Sequence, residues 1–146
     1  MKTTKLLFVL IFLTTGTAMA QEAKEATVTP LVTKDLKESP GREVVMMTVE
    51  YLPGVVDPIH RHNAHALVYV LEGTIVMQVK GGKEVTLKAG ETFYEAPDDV
   101  HLVSRNASSA KPAKFIVFLV KYKGAPVLLP VTTETATQRH KSGGHK

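Results

Sequence analysis

Three histidines carry the strongest chemical signal in the chain: His60 and His62, one residue apart, and His101, one strand-turn-strand unit further on. Side chains two apart on an extended segment share a side, about 6–7 Å from one another along the chain, so two imidazoles can reach one cation through bonds of about 2.0–2.1 Å. A third imidazole from a neighbouring strand closes such a site. The pair follows the Pro53-Gly54 turn and precedes the apolar run from Leu67 to Leu71, which places it at a strand mouth. Scattered histidines in β-proteins are usually structural or solvated, but this spacing favours a metal centre.

Several neighbours qualify for supporting roles. Glu95 stands close to the His101 strand as a ligand or base, with a solvated strand-end carboxylate as the plainer alternative, and Tyr94 beside it is a second-sphere group. His65 is a further ligand candidate. Period-two parity sets it opposite Ala66, Val68 and Val70, unless the Asn63-Ala64 turn resets the register. Met46, Met77, Tyr69, Phe93, Tyr94 and Phe118 are expected as pocket walls or plain core, and Arg61 and Arg105 as contacts to an anionic substrate or exposed charges. Nucleophilic catalysis lacks support: there is no cysteine, and Ser104, Ser108 and Ser109 have no matching base arrangement.

The elements that must position these residues are strands. Segments 43–51, 66–71, 74–80, 83–88, 92–95, 101–104 and 114–122 combine β-branched or aromatic residues with period-two patterning, and a shorter strand is expected within 26–32. Pro53-Gly54, Glu72-Gly73, Gly81-Gly82, Ala89-Gly90 and Pro97-Asp98-Asp99 punctuate them. Short strands at regular spacing without a convincing helix predict an all-β, single-domain antiparallel barrel or sandwich. The run from Lys114 to Lys121 is apolar on both faces, so it belongs at the centre of a sheet, with its second face on a cavity or a partner copy.

The ends bound the rest. Lys2 and Lys5 precede the apolar run Leu6 to Leu13, and Ala18-Met19-Ala20 closes the segment, which predicts an export signal cleaved after Ala20 rather than a membrane span. The expected organisation is a signal peptide over 1–20, an N-terminal extension along the domain edge over 21–41, a barrel over 42–130 and a disordered tail over 131–146. Cleavage leaves 126 of 146 residues, enough for one packed core, in a periplasmic or secreted protein. Export without cysteines means that stability comes from buried apolar surface, helped by metal, rather than from disulfides. Of 18 basic residues two lie in the signal, so 16 remain against 14 acids; with these dispersed among each other, a nucleic-acid partner is not expected.

The residues resemble the cupin family, small β-barrels that often hold a metal between two motifs. Gly54, His60, His62 and Gly73 fall in register with the first motif, and Gly90 and His101 with the second. The chain departs from the pattern at Ala66, which occupies the first motif's glutamate slot, and at Pro97 and Asn106, each one place late. The resemblance spans about 43–122 and is closest to single-domain cupins of the quercetin-dioxygenase-like group. It implies a jelly-roll barrel, likeness to the three-histidine sites of thiol and diketone dioxygenases, and pairing into homodimers.

Three neutral imidazoles without the carboxylate suit iron, manganese, nickel, zinc, copper or cobalt better than Mg²⁺ or Ca²⁺. The expected function is therefore an exported metal-binding cupin, dioxygenase-like in its chemistry, acting on a small organic molecule. The alternatives are a non-catalytic ligand-binding or structural cupin, and hydrolysis at a zinc site.

Overall fold

Alternation dominates the structure, a computed structural model that describes residues 25–131. The expected signal peptide over 1–20 lies outside the described residues, as does the tail beyond 131. Ten strands follow in order: β1 (Thr27–Asp35), β2 (Arg42–Tyr51), β3 (His60–Arg61), β4 (Ala64–Glu72), β5 (Thr74–Val79), β6 (Val85–Lys88), β7 (Thr92–Glu95), β8 (Val100–Asn106), β9 (Ala113–Tyr122) and β10 (Leu129–Pro130). They form two five-stranded sheets, ordered β1-β2-β9-β4-β7 and β10-β3-β8-β5-β6, and every pairing is antiparallel. No helix occurs among the described residues. The expected all-β antiparallel architecture is what the chain adopts.

In β2 and β9 every second residue is buried, so Val45, Met47 and Val49 join Phe115, Val117 and Leu119 on the inner face. Together with Val68, Val70, Ile75 and Met77 they fill the space between the sheets, as two facing pleated surfaces require. β9 runs through the middle of its sheet, paired with β2 on one side and β4 on the other, which explains why both of its faces are apolar. β1, exposed along its whole length, pairs with β2 at the sheet edge.

Two turns anchor the strands that flank the site. Gly73 joins β4 to β5 with φ +74°, and a Cβ there would stand 2.5 Å from the Pro112 carbonyl oxygen, so only glycine fits. Asn106, at the end of β8, donates to the carbonyls of Tyr51, Leu52 and Lys111 at 3.1, 3.2 and 2.8 Å and accepts from the Ser108 amide at 2.8 Å. Its role is structural: it ties the end of β2 to the β8–β9 connection.

β3 and β10, two residues each, have no counterpart in the predicted strands. Their ladder is set by distant partners, His60 opposite His101 and Pro130 opposite His60, not by a local pattern.

Candidate functional site

His60 and His101 arrive on paired strands, directly opposite one another in the register of β3 and β8. His62 follows just after β3. The three rings cluster, with centroids 5.0 Å apart for His60–His62, 4.9 Å for His60–His101 and 6.0 Å for His62–His101. His60 and His101 are buried, and the His62 side chain is 11% exposed.

Two of the rings are oriented by the backbone. His60 Nδ1 lies 2.8 Å from the Pro58 carbonyl oxygen and His62 Nδ1 lies 2.6 Å from that of Val127. A carbonyl only accepts, so each Nδ1 carries a proton, and in the neutral ring Nε2 is then the nitrogen with the lone pair. Burial, reinforced by the neighbouring histidines, holds His60 below the usual imidazole range and favours this neutral form, although its bond to Pro58 works in the opposite direction.

The fourth member is Glu95, buried at the end of β7. Its Oε2 is 2.7 Å from His101 Nε2 and 3.7 Å from His62 Nε2. Yet neither ring nitrogen of His101 has a partner in hydrogen-bonding geometry, so at 2.7 Å the carboxylate oxygen must lie off the axis of the ring nitrogen. Glu95 stands directly opposite Ala66 in the β4–β7 ladder, and Ala66 is fully buried. Side chains opposite one another in adjacent strands have Cβ atoms about 4.5–5.5 Å apart. A carboxylate from the neighbouring strand thus lies beside position 66.

Two-nitrogen, one-ion geometry with bonds of about 2.0–2.1 Å puts ring centres about 5 Å apart. Two of the three separations match that value, and the His62–His101 separation is wider. Among the described residues no group of three or more histidine, cysteine or acidic side chains stands in a geometry that could hold a metal ion.

Beside the cluster opens a cavity of about 720 Å³, walled chiefly by apolar side chains from both sheets. Its second polar group is a chain of three residues. The buried Tyr51 hydroxyl donates to the Asp57 carboxylate and lies 2.7 Å from the Ser104 hydroxyl, which is in turn 3.4 Å from Met77 Sδ. Burial first, then the Asp57 charge, pushes the Tyr51 phenol far above its ordinary range, which keeps it a neutral donor.

Other expected site residues are placed elsewhere. His65 is exposed on the outer face, where its Nδ1 lies 2.7 Å from the Tyr94 hydroxyl, so it does not join the other histidines; strand parity was the correct guide. Tyr94, 54% exposed, shares that outer face and is not positioned for catalysis in the cavity. Arg105 pairs with Glu84 at 3.3 Å, and neither it nor Arg61 lines the cavity. Of the expected walls only Met77 does so; Met46, Tyr69 and Phe118 lie on the outer parity of their strands, while Phe93 packs edge-on against His101 with centroids 6.0 Å apart. Met47, Phe115 and Val117 line the cavity instead. Tyr51 and Asp57 were not foreseen, although Tyr51 shares the inward parity of β2.

The family model for the cupin domain matches residues 47–119, and the chain belongs to the cupin family. No curated protein sequence matches it. Solved structures with the same fold include an uncharacterised double-stranded β-helix protein from Klebsiella pneumoniae, with 18% identity, 77% of this chain and 90% of that chain covered, and TM-score 0.58. An oxalate oxidase in complex with the substrate analogue glycolate has 24% identity, with 80% and 65% covered and TM-score 0.54. The DMSP lyase DddQ from Ruegeria pomeroyi has 17% identity, with 60% and 43% covered and TM-score 0.53. The chain therefore spans less than half the length of that lyase. At these identities the likeness is one of fold.

Proposed function

We propose that this cupin binds one divalent transition metal through His60, His62, His101 and Glu95 and acts on a small organic molecule held in the adjoining cavity. The observation that carries the reading is the pair of Nδ1–carbonyl bonds, which commit His60 and His62 to presenting Nε2, beside a buried His101 whose nitrogens lack hydrogen-bond partners. A buried polar atom without a partner costs about 1–3 kcal/mol, a cost that coordination would remove. Three imidazoles and one carboxylate match iron, manganese, nickel, zinc, copper or cobalt. When bound, the ion supplies Lewis acidity and open positions for a chelating substrate. The chain's own part is to hold the imidazole tautomers through Pro58 and Val127 and to exclude water with the apolar walls.

Elemental analysis of protein purified without chelators tests this reading: about one equivalent of metal is expected, falling to near zero in His62→Ala and at least about ten-fold in affinity in Glu95→Gln. Unchanged metal content in both variants would overturn it. Oxygen uptake across phenolic, diketone and thiol compounds then separates a dioxygenase-like enzyme from a non-catalytic binding cupin.

The same proposal includes export and pairing. The Lys2/Lys5, apolar-run and Ala18-Met19-Ala20 pattern supports a periplasmic or secreted protein. The outer face of the sheet centred on β9 presents Met46, Phe118, Leu67 and Tyr69 together, an apolar middle that a two-fold-related copy would cover. Light scattering should report a dimer, and a monomer for Phe118→Asp.

A further inference from the structure

The charges around the cavity are one-sided. Glu25, Asp57 and Glu95 all line it, whereas no lysine or arginine does among the described residues. Most of the remaining surface is hydrocarbon, contributed by Met47, Val68, Met77, Phe115, Val117 and Leu128. Asp57 is tied into the wall by the Tyr51 hydroxyl and by its own amide, which donates to the Ser104 carbonyl at 2.9 Å. It is a fixed acid, not a side chain free to swing into solvent.

Small organic anions are normally met by arginine or lysine, because a carboxylate or phosphate leaving water needs a charged donor to offset its desolvation. Here an incoming anion would meet like charge on two sides of a mostly apolar chamber. Resting on the metal reading above, the account needs no anion: an ion of charge +2, three neutral imidazoles and the three carboxylates of Glu25, Asp57 and Glu95 sum to −1. Nothing in the site then calls for an anionic substrate.

We infer that the cavity takes a neutral or cationic, predominantly apolar organic molecule and discriminates against small organic anions. The molecule's apolar body lies against the β2, β4 and β9 walls, and a hydrogen-bond donor on it is met by the Asp57 carboxylate. Oxalate-like dianions are poor candidates for this chamber despite the shared fold.

The test uses three probes of one shape and different charge: benzamide, benzamidine and benzoate. Calorimetric titration of the metal-free protein should find benzoate at least ten-fold weaker than benzamide, with benzamidine at least as tight as benzamide. In the zinc-loaded protein benzoate should still bind no tighter than benzamide. Val56→Lys, a change at a 61% exposed lining position, should reverse the benzoate and benzamide order without disturbing the core. Benzoate binding as tightly as benzamide to the metal-free protein overturns the inference. An unaltered order in Val56→Lys, or no measurable binding of any probe, does the same. Metal content is measured separately, so a protein that takes up no zinc yet prefers benzamide would sink the metal reading and leave this one standing.

Discussion

Two buried polar clusters in this molecule are built on opposite principles. In the first, Lys121 and Glu43 face each other across the β2–β9 ladder, both on the inward parity. Lys121 Nζ donates to Glu43 Oε1 at 2.5 Å and to the Ala125 carbonyl at 2.6 Å, and Glu43 Oε1 also accepts from the Gly124 amide at 3.1 Å. The charges are paired and bonded on several sides. In the second cluster, three imidazoles and Glu95 crowd together, but both ring nitrogens of His101 lack a hydrogen-bond partner. Buried polar groups are nearly always satisfied in native proteins. The contrast between a completed cluster and one with partnerless ring nitrogens supports the metal reading proposed above.

The largest expected effect comes from breaking the completed cluster. Lys121→Met strands the Glu43 carboxylate and frees the turn at Gly124, and should lower Tm by on the order of 10 °C. Adding Glu43→Gln should recover most of that loss, because the amide carries no stranded charge. If the single variant melts like the parent, the pair is not the structural cluster described.

The open cluster should respond the other way. With metal removed, the double variant His101→Leu/Glu95→Gln deletes a ring without hydrogen bonds and leaves no carboxylate stranded at its 2.7 Å contact, so denaturant titration should find a change below about 1.5 kcal/mol. The parent should gain about 2.7 kcal/mol at zinc concentrations 100 times Kd, and the variant should gain nothing. A large loss of stability in the metal-free double variant would recast the cluster as ordinary core.

Acid provides the finest discrimination. The Lys121 hydrogen bond, more than its charge, holds the Glu43 carboxyl below its ordinary value of 4.5. The folded protein therefore binds this proton less readily than the unfolded chain. The pair's contribution is complete above the unfolded value and is lost as pH falls from there through the lower folded value. Melting curves between about pH 6 and pH 3 should show a shallower acid slope in Glu43→Gln than in the parent. Equal slopes would detach Glu43 from Lys121.

Much of the site was legible because its signals are local. His60, His62 and His101 have the right spacing, and period-two parity correctly set His65 apart from the buried face of β4. The two apolar faces of β9 defeated the same rule: Phe118 and Val117 look alike as wall candidates, and only packing shows that Val117 faces the cavity. Nothing local pairs Glu43 with Lys121 either; only the ladder sets them opposite each other.

From sequence alone came the strand period, the turn glycines, the three imidazoles and the empty slot at Ala66, all carried by residues a few positions apart. Tertiary structure alone decided which residue lies beside that slot. Ala66 and Glu95 are brought together by the register of two strands distant in the chain. The two-residue period states which side chains share a face; it does not state which strand lies alongside, or which face turns inward. Those are set by the packing of the two sheets over a common core.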